Sequence, residues 1–340
     1  MTTQTAAKPI IAMVLGDPAG IGPELIAKLL VLPEVRGEAG IFVIGDRDEL
    51  ERGRRIAGVE FPLSTAASFD AADFSRNVPV LMQFRGSVRG QFPRAVVSAE
   101  GGRYSLETLE IAIELARTRK AGAVCFAPLN KGSLHAAGIA HNDELHWFAE
   151  KLGYRGPFCE FNVLGALWTS RVTSHMPLKD VSSLLTPEKV ATAIGLIHDA
   201  LLQAGVAAPR IAVCGFNPHN GDNGAFGREE IDVIAPGIAL ARSRGNAADG
   251  PYPADTIFLK ARAGAYDAVV TMYHDQGQIA LKLMGFDRGV TVQGGLPIAI
   301  TTPAHGTAFD IEGQGKADVG AMKEAFLLAC RMARSRRDAA

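Results

Sequence analysis

The stretch Thr271-Met272-Tyr273-His274-Asp275-Gln276-Gly277 decides how this chain folds. It completes an apolar run, Ala265 to Tyr273, and closes on a polar cluster and a glycine. Open α/β sheets place their chemistry at the carboxyl ends of buried strands, which is what this pattern describes. Two other segments share the layout. Arg171-Val172-Thr173-Ser174-His175-Met176-Pro177 ends a β-rich run in His175, and Ile211-Ala212-Val213-Cys214-Gly215-Phe216-Asn217-Pro218-His219 ends one in His219. Neutral imidazole is the commonest side-chain ligand for zinc and similar ions, and three of them leave a coordination position open for substrate. Taken singly, a strand-end histidine is more often a hydrogen-bonded structural residue. The wide separations match no local zinc motif, so the residues alone leave both readings open.

Outward from that stretch, strand and helix alternate, which predicts a largely parallel sheet with helices on both faces. Pro9 to Leu15 reads as a buried strand, followed by Gly16-Asp17-Pro18-Ala19-Gly20-Ile21-Gly22-Pro23-Glu24 and a helix to Leu32. Gly20 and Gly22 permit a tight turn and Pro23 suits a first helical turn, but no third glycine completes the dinucleotide fingerprint. Ile41 to Ile44 reads as a strand and residues 52–100 as irregular, with short strands expected around Val78 to Phe84. A helix is expected over Ser105 to Lys120 with Ser105 as its N-cap. Phe161 to Thr173 reads as a hairpin and Thr186 to Gln203 as a helix. A last helix runs from about Val319 to Arg334, and no linker-like stretch interrupts the chain.

The 340 residues are 47% hydrophobic and 21% charged, with a formal net charge of −1. This is ordinary soluble globular composition, long enough for two domains. A near-neutral charge offers no electrostatic case for nucleic acid. No apolar run reaches the roughly 18–20 residues that span a bilayer, so no membrane role is expected. The short apolar run after Lys8 reads as a core strand, not a signal peptide. Cys125, Cys159, Cys214 and Cys330 show no pairing pattern and read as reduced thiols of a cytoplasmic protein.

Taken together, the Gly16–Glu24 stretch, Asn217-Pro218-His219, Ala254-Asp255-Thr256, Tyr273-His274-Asp275-Gln276-Gly277 and His305-Gly306-Thr307-Ala308 occur in an order that resembles the 4-hydroxythreonine-4-phosphate dehydrogenase family of vitamin B6 biosynthesis. The likeness runs nearly end to end. It implies a two-domain α/β/α fold like that of isocitrate and isopropylmalate dehydrogenases. The domains are then 1–130 plus 295–340, and 131–294 carrying the metal site, with a cleft between them. It implies a homodimer whose interface lies near the active site and which acts on a small-molecule substrate. His175, His219 and His274 would hold a divalent metal (Zn, Mg, Mn or Co). NAD or NADP would sit on His305, Gly306, Thr307 and Asp318 without a Rossmann fingerprint. Asp255, Asp275 and Lys282 would be the catalytic groups, with Lys282 also contacting substrate. The implied reaction oxidises a secondary alcohol beta to a carboxylate, followed by decarboxylation.

The substrate-phosphate region departs from the family pattern. Its Gly-His-Thr-Glu stretch aligns with Asp143-Glu144-Leu145-His146, so Glu144 and Leu145 stand where a histidine and a threonine are expected. The family asparagine and arginine fall at Thr291 and Ile300. Loss of a guanidinium matters because it is suited to bidentate phosphate binding. A non-phosphorylated hydroxy acid or a carboxylated cis-dihydrodiol therefore stands as an alternative substrate. His141 and His146 are further candidates near it. A metal hydrolase or lyase without nicotinamide is the more distant alternative, against which the His305–Asp318 loop argues.

Overall fold

The computed structural model describes residues 8–84, 86–88, 92–141 and 143–338. In chain order these form β1 (Ile10–Val14), α1 (Gly22–Leu30), β2 (Gly40–Gly45), α2 (Arg47–Ala57), β3 (Ser64–Ala66), β4 (Val80–Gln83), α3 (Ala99–Arg117), β5 (Ala123–Phe126), α4 (Lys131–Ala136) and α5 (Glu144–Lys151). Then come β6 (Cys159–Leu164), β7 (Leu167–Arg171), α6 (Val181–Leu184), α7 (Pro187–Gln203) and β8 (Ile211–Cys214). A π-helical turn, Glu230–Ile234, runs into α8 (Ala235–Ser243). β9 (Asp249–Tyr252), α9 (Ala254–Arg262), β10 (Ala268–Thr271), α10 (His274–Gly285), β11 (Val290–Gly294), β12 (Ala299–Pro303) and α11 (Gly320–Asp338) complete the chain. No helix among the described residues is long and apolar enough to cross a membrane.

Two compact units emerge. The first comprises residues up to Arg155 together with those from Leu296 onward. Its strands lie in the order β3-β4-β2-β1-β5-β12, and every pairing is parallel. The strands read as unbroken apolar runs because both faces are covered; Ile11, Met13, Phe42, Val43, Val124 and Cys125 are fully buried. The second unit, Gly156–Gly295, has the order β11-β6-β7-β10-β8-β9. There the β11–β6 and β6–β7 pairs are antiparallel and the remaining pairs parallel.

Residues 131–155 belong to the first unit, so the boundary lies beyond the position read from sequence. The reason is packing. α3 meets α4 so closely that a Cβ at Gly102 would lie 1.9 Å from the Ser133 carbonyl oxygen. Phe148 of α5 lies 5.8 Å from Phe126 of β5, ring to ring.

Two helices differ from expectation. Residues 52–100 are not wholly irregular, because α2 extends to Ala57. Its buried positions are Glu49, Leu50 and Gly53, so no apolar stripe marks it. The legible signs are local instead: Asp46 accepts from the amides of Asp48 and Glu49, and Gly58 closes the helix at φ 65°. Likewise α3 starts at Ala99, with Ser98 accepting from the Gly101 amide. Ser105 lies inside this helix and donates to the Gly101 carbonyl. Gly101 and Gly102 look like helix breakers in sequence, but in the fold Gly102 is where α4 approaches.

The α1–α2 contact has the same character. A Cβ at Gly53 would sit 2.1 Å from the Pro23 carbonyl oxygen. Alanine is favoured over glycine in a helix interior by about 1 kcal/mol, whereas overpacking costs about 1–3 kcal/mol. Gly53→Ala is therefore expected to lower stability by roughly 1–2 kcal/mol, read as a lower urea midpoint. A rise in midpoint would show that propensity outweighs the contact.

Candidate active site

β7, β10 and β8 are neighbouring parallel strands, so the segments that follow them leave the sheet side by side at one edge. These segments carry His175, His274 and His219. They are also bonded to one another. Thr173 Oγ1 donates to the Met272 carbonyl at 2.7 Å. Gln276 accepts from the Met272 amide at 2.7 Å and donates to the Gly215 carbonyl at 2.8 Å. The His175 and His274 rings lie 5.6 Å apart between centroids. His219 lines a pocket of about 610 Å³ together with Asp255, Tyr273, Asp275 and Gln276.

His274 opens α10, and its Nδ1 lies 2.6 Å from Asp275 Oδ1. With Nδ1–H donating to that carboxylate, Nε2 is the lone-pair nitrogen, an arrangement that orients metal-ligating histidines. His175 and His219 sit in left-handed backbone, at φ 51° and 52°. Non-glycine residues held there store strain, and such positions concentrate at functional sites. The donor chemistry fits a divalent ion: three imidazoles on adjacent strand ends, one backed by a carboxylate. Among the described residues, however, no three His, Cys, Asp or Glu side chains close around one point.

The backbone from His219 to Asn223 is a run of five left-handed residues, with φ of 52°, 60°, 76°, 40° and 55°. Each non-glycine residue in this conformation costs roughly 1–2 kcal/mol, so the surroundings must enforce it. Glu230, 4% exposed, braces the segment that enters this run. Its carboxylate accepts from the amides of Phe216 and Asn217, both at 2.6 Å, and from Asn217 Nδ2 at 3.0 Å. Glu229 takes a second hydrogen bond from Asn217 Nδ2 at 2.6 Å and one from Ser182 Oγ at 2.6 Å. A Cβ at Gly221 would come within 2.6 Å of Glu230 Oε2, so glycine is required there. Sequence reading missed Glu230. The signal that could have found it is its helical phase, since Glu230, Ile234, Ile238 and Ala241 are all buried on one face.

Lys282 lies on α10 one turn beyond Gln278, and Thr291 on β11 faces Asn162 across the β11–β6 pair. Asn162 Nδ2 donates to Thr291 Oγ1 at 3.4 Å.

The other candidate residues lie in the first unit. There the loops after β1, β5 and β12, three neighbouring parallel strands, are interlocked. The Ile21 amide donates to the Thr307 carbonyl at 3.1 Å, the Asp17 amide to the Pro128 carbonyl at 3.0 Å, and Asn130 Nδ2 to Thr307 Oγ1 at 3.4 Å. A Cβ at Gly20 would lie 2.6 Å from the Thr307 carbonyl oxygen, which accounts for the second glycine of the first loop. Lys28 donates to the carbonyls of Gly315 and Ala317 at 2.9 and 2.7 Å, and Glu24 accepts from the Ala317 amide at 2.9 Å. Arg52 pairs with Glu312. The 305–318 loop is thus held from α1 and α2, while Gly306 is exposed, with nothing within 4 Å of a Cβ built there. His305 Nδ1 lies 3.0 Å from the Gly306 carbonyl oxygen, and Asp318 accepts from the Gly320 amide at 2.7 Å, just ahead of α11. Asp17 is fully buried, and desolvation holds its pKa above the ordinary carboxylate value, against hydrogen bonds from Ala19 and Ser133.

α5 carries Glu144 in its first turn, and Asp143 caps it by accepting from the His146 amide at 3.0 Å. His146 Nδ1 lies 2.6 Å from the same Asp143 oxygen, and His141 pairs with Glu150. Burial works to raise the Asp143 pKa, but the hydrogen bonds from His146 and the charges of His146 and Lys131 bring it below the ordinary value. This helix start therefore carries its own carboxylate charge. Leu145 and Ile300 are 6% and 0% exposed; Ile300 pairs with Val124 inside the sheet.

Comparison with known proteins identifies what the chain resembles. The family model described as pyridoxal phosphate biosynthetic protein PdxA matches residues 38–329. A Pseudomonas aeruginosa protein, provisionally named 4-hydroxythreonine-4-phosphate dehydrogenase 2, is 64% identical over 96% of this chain and 97% of its own. D-threonate 4-phosphate dehydrogenase of Cupriavidus necator is 39% identical over 94% and 95%. The crystal structure of 4-hydroxythreonine-4-phosphate dehydrogenase from Klebsiella pneumoniae superposes with a TM-score of 0.84 at 36% identity, covering 97% of this chain and 99% of that one.

Glu230→Ala would leave two donors, the Phe216 and Asn217 amides, without their acceptor. Each unmade buried bond costs about 1–3 kcal/mol, so a loss of about 2 kcal/mol or more is expected in denaturant unfolding, with faster proteolysis within 217–224. Unchanged stability and cleavage would show that the left-handed run is held by other contacts.

Proposed function

The chain belongs to the pyridoxal phosphate biosynthetic protein PdxA family, and from that premise we propose that it is a metal-dependent, NAD(P)-linked dehydrogenase that oxidises and decarboxylates a 3-hydroxy acid. Its relatives are named as dehydrogenases, and it is an oxidoreductase acting on CH–OH groups. The observation that carries the finer reading is the histidine trio on adjacent strand ends, with Asp275 against His274 Nδ1.

In this reading His175, His219 and His274 hold the divalent ion and Asp275 keeps the His274 ring in its ligating orientation. When bound, the ion would supply Lewis-acid polarisation and the dinucleotide a hydride acceptor. Lys282 holds the substrate carboxylate and returns a proton to the carbon from which carbon dioxide departs. Asp255, in the same pocket as His219, is the further acid–base group. The interlocked loops of the first unit receive the dinucleotide, with exposed Gly306 as the point of close backbone approach.

The relatives' names point to a phosphorylated four-carbon hydroxy acid. A second reading is favoured by α5: Asp143 caps its N-terminus and Glu144 occupies its first turn, which disfavours a dianion there. Under that reading the substrate is a non-phosphorylated hydroxy acid or a carboxylated cis-dihydrodiol. The fully reduced cysteines suit a cytoplasmic setting. Large apolar side chains left exposed in the second unit, Leu283 at 84%, Leu178 at 65%, Ile279 at 60% and Leu259 at 59%, support a homodimer that covers them.

The deciding experiment follows nicotinamide reduction by purified protein with added metal, across phosphorylated and non-phosphorylated hydroxy acids and carboxylated cis-diols. At least one class should reach a kcat/KM of about 10⁴ M⁻¹s⁻¹, and His219→Ala should lose both stoichiometric metal and turnover while remaining folded. Full activity in His219→Ala would remove the metal reading. A kcat/KM of that size for the phosphorylated acid alone would remove the second substrate reading.

The cofactor placement has its own test. Gly306→Val introduces a side chain into open space, so folding should be unaffected while the KM for the dinucleotide rises about tenfold or more, equivalent to about 1.4 kcal/mol. An unchanged KM would move the dinucleotide elsewhere.

A further inference from the structure

Arg171, the last residue of β7, is 6% exposed and its guanidinium is fixed at three points. Nε donates to Ser174 Oγ at 2.9 Å, Nη1 to Asn162 Oδ1 at 2.9 Å and Nη2 to Glu160 Oε1 at 2.9 Å. Ser174 immediately precedes His175, which is in left-handed backbone. Asn162 Oδ1 also accepts from Gln278 Nε2 on α10, one turn after His274. A single buried cation thus reaches the segment that bears His175 and, through one asparagine, the helix that begins with His274.

Burying a guanidinium and a carboxylate is weak evidence of stabilisation, since an apolar replacement of similar volume is often neutral or better for folding. What the planar fork supplies is direction: its donors leave at fixed angles, which a lysine ammonium cannot reproduce. We propose that Arg171 is a positioning residue of the histidine cluster, which sets the separation of His175 and His274 by holding Ser174 and the Asn162–Gln278 pair at fixed angles. This rests on the reading of the three histidines as metal ligands. Groups that orient ligands from behind typically govern metal affinity by about 10- to 100-fold.

The test titrates cobalt(II) into metal-free wild type, Arg171→Met, Arg171→Lys and Ser174→Ala, with Arg210→Met as an exposed control distant in the network. Visible absorption reports ligand geometry independently of turnover, and circular dichroism reports folding. Wild type is expected to bind one equivalent with a defined band. Arg171→Met should bind at least about tenfold more weakly with a shifted band, Arg171→Lys should recover only part of the affinity, and Arg210→Met should match wild type. If Arg171→Met does not fold, Ser174→Ala decides, because it removes only the link to the His175 segment; it should weaken binding several-fold. Affinity and band unchanged in Arg171→Met, or in Ser174→Ala where that variant decides, would overturn the positioning role while leaving the histidine reading intact. Wild type that binds no cobalt would overturn the histidine reading and this inference with it.

Discussion

Parallel pairing is the constraint on which the candidate site depends. Because β7, β10 and β8 run in one direction side by side, their following segments must leave at a common edge. Three histidines far apart in sequence are thereby carried to the same end of the sheet without any local motif. The short bonds from Thr173 and Gln276 then tie those segments together at the backbone, so each histidine is carried by a scaffold and not by an independent loop.

What sequence could show follows from how local each signal is. Buried parallel strands are continuous apolar runs, so β1, β2, β8 and β10 were legible, as were helices with a capping residue ahead of an apolar stripe, such as Thr186 before α7. α2 was not, because its buried face is a glutamate, a leucine and a glycine, and its evidence lies in capping chemistry. The start of α3 was misplaced because a glycine pair that breaks a helix by propensity also admits a close neighbour by shape. For the candidate site, the histidines stand out by their strand-end positions, whereas Asp255 and Asp275 are proposed only through the family resemblance. Glu230 was missed although its helical phase marks it, and Arg171 because its role consists of side-chain bonds to Ser174, Asn162 and Glu160, which leave no periodicity.

The first unit shows a parallel economy. Its glycine-rich loop is gripped at the backbone by Lys28 and Glu24 from α1, and through the Glu312 side chain by Arg52 from α2. Lys28 donates to main-chain carbonyls, so the grip depends on loop shape and is indifferent to most loop side chains.

The left-handed run after β8 has a consequence for motion. A chain of L-residues gains nothing from that path in isolation, and the Glu230 carboxylate fixes its entry by holding the Phe216 and Asn217 amides. Order there is borrowed from the helix that carries Glu230. The two therefore form one opening unit: deuterium should enter the Phe216 and Asn217 amides at the rate at which that helix undocks, not at the rate of an exposed surface loop.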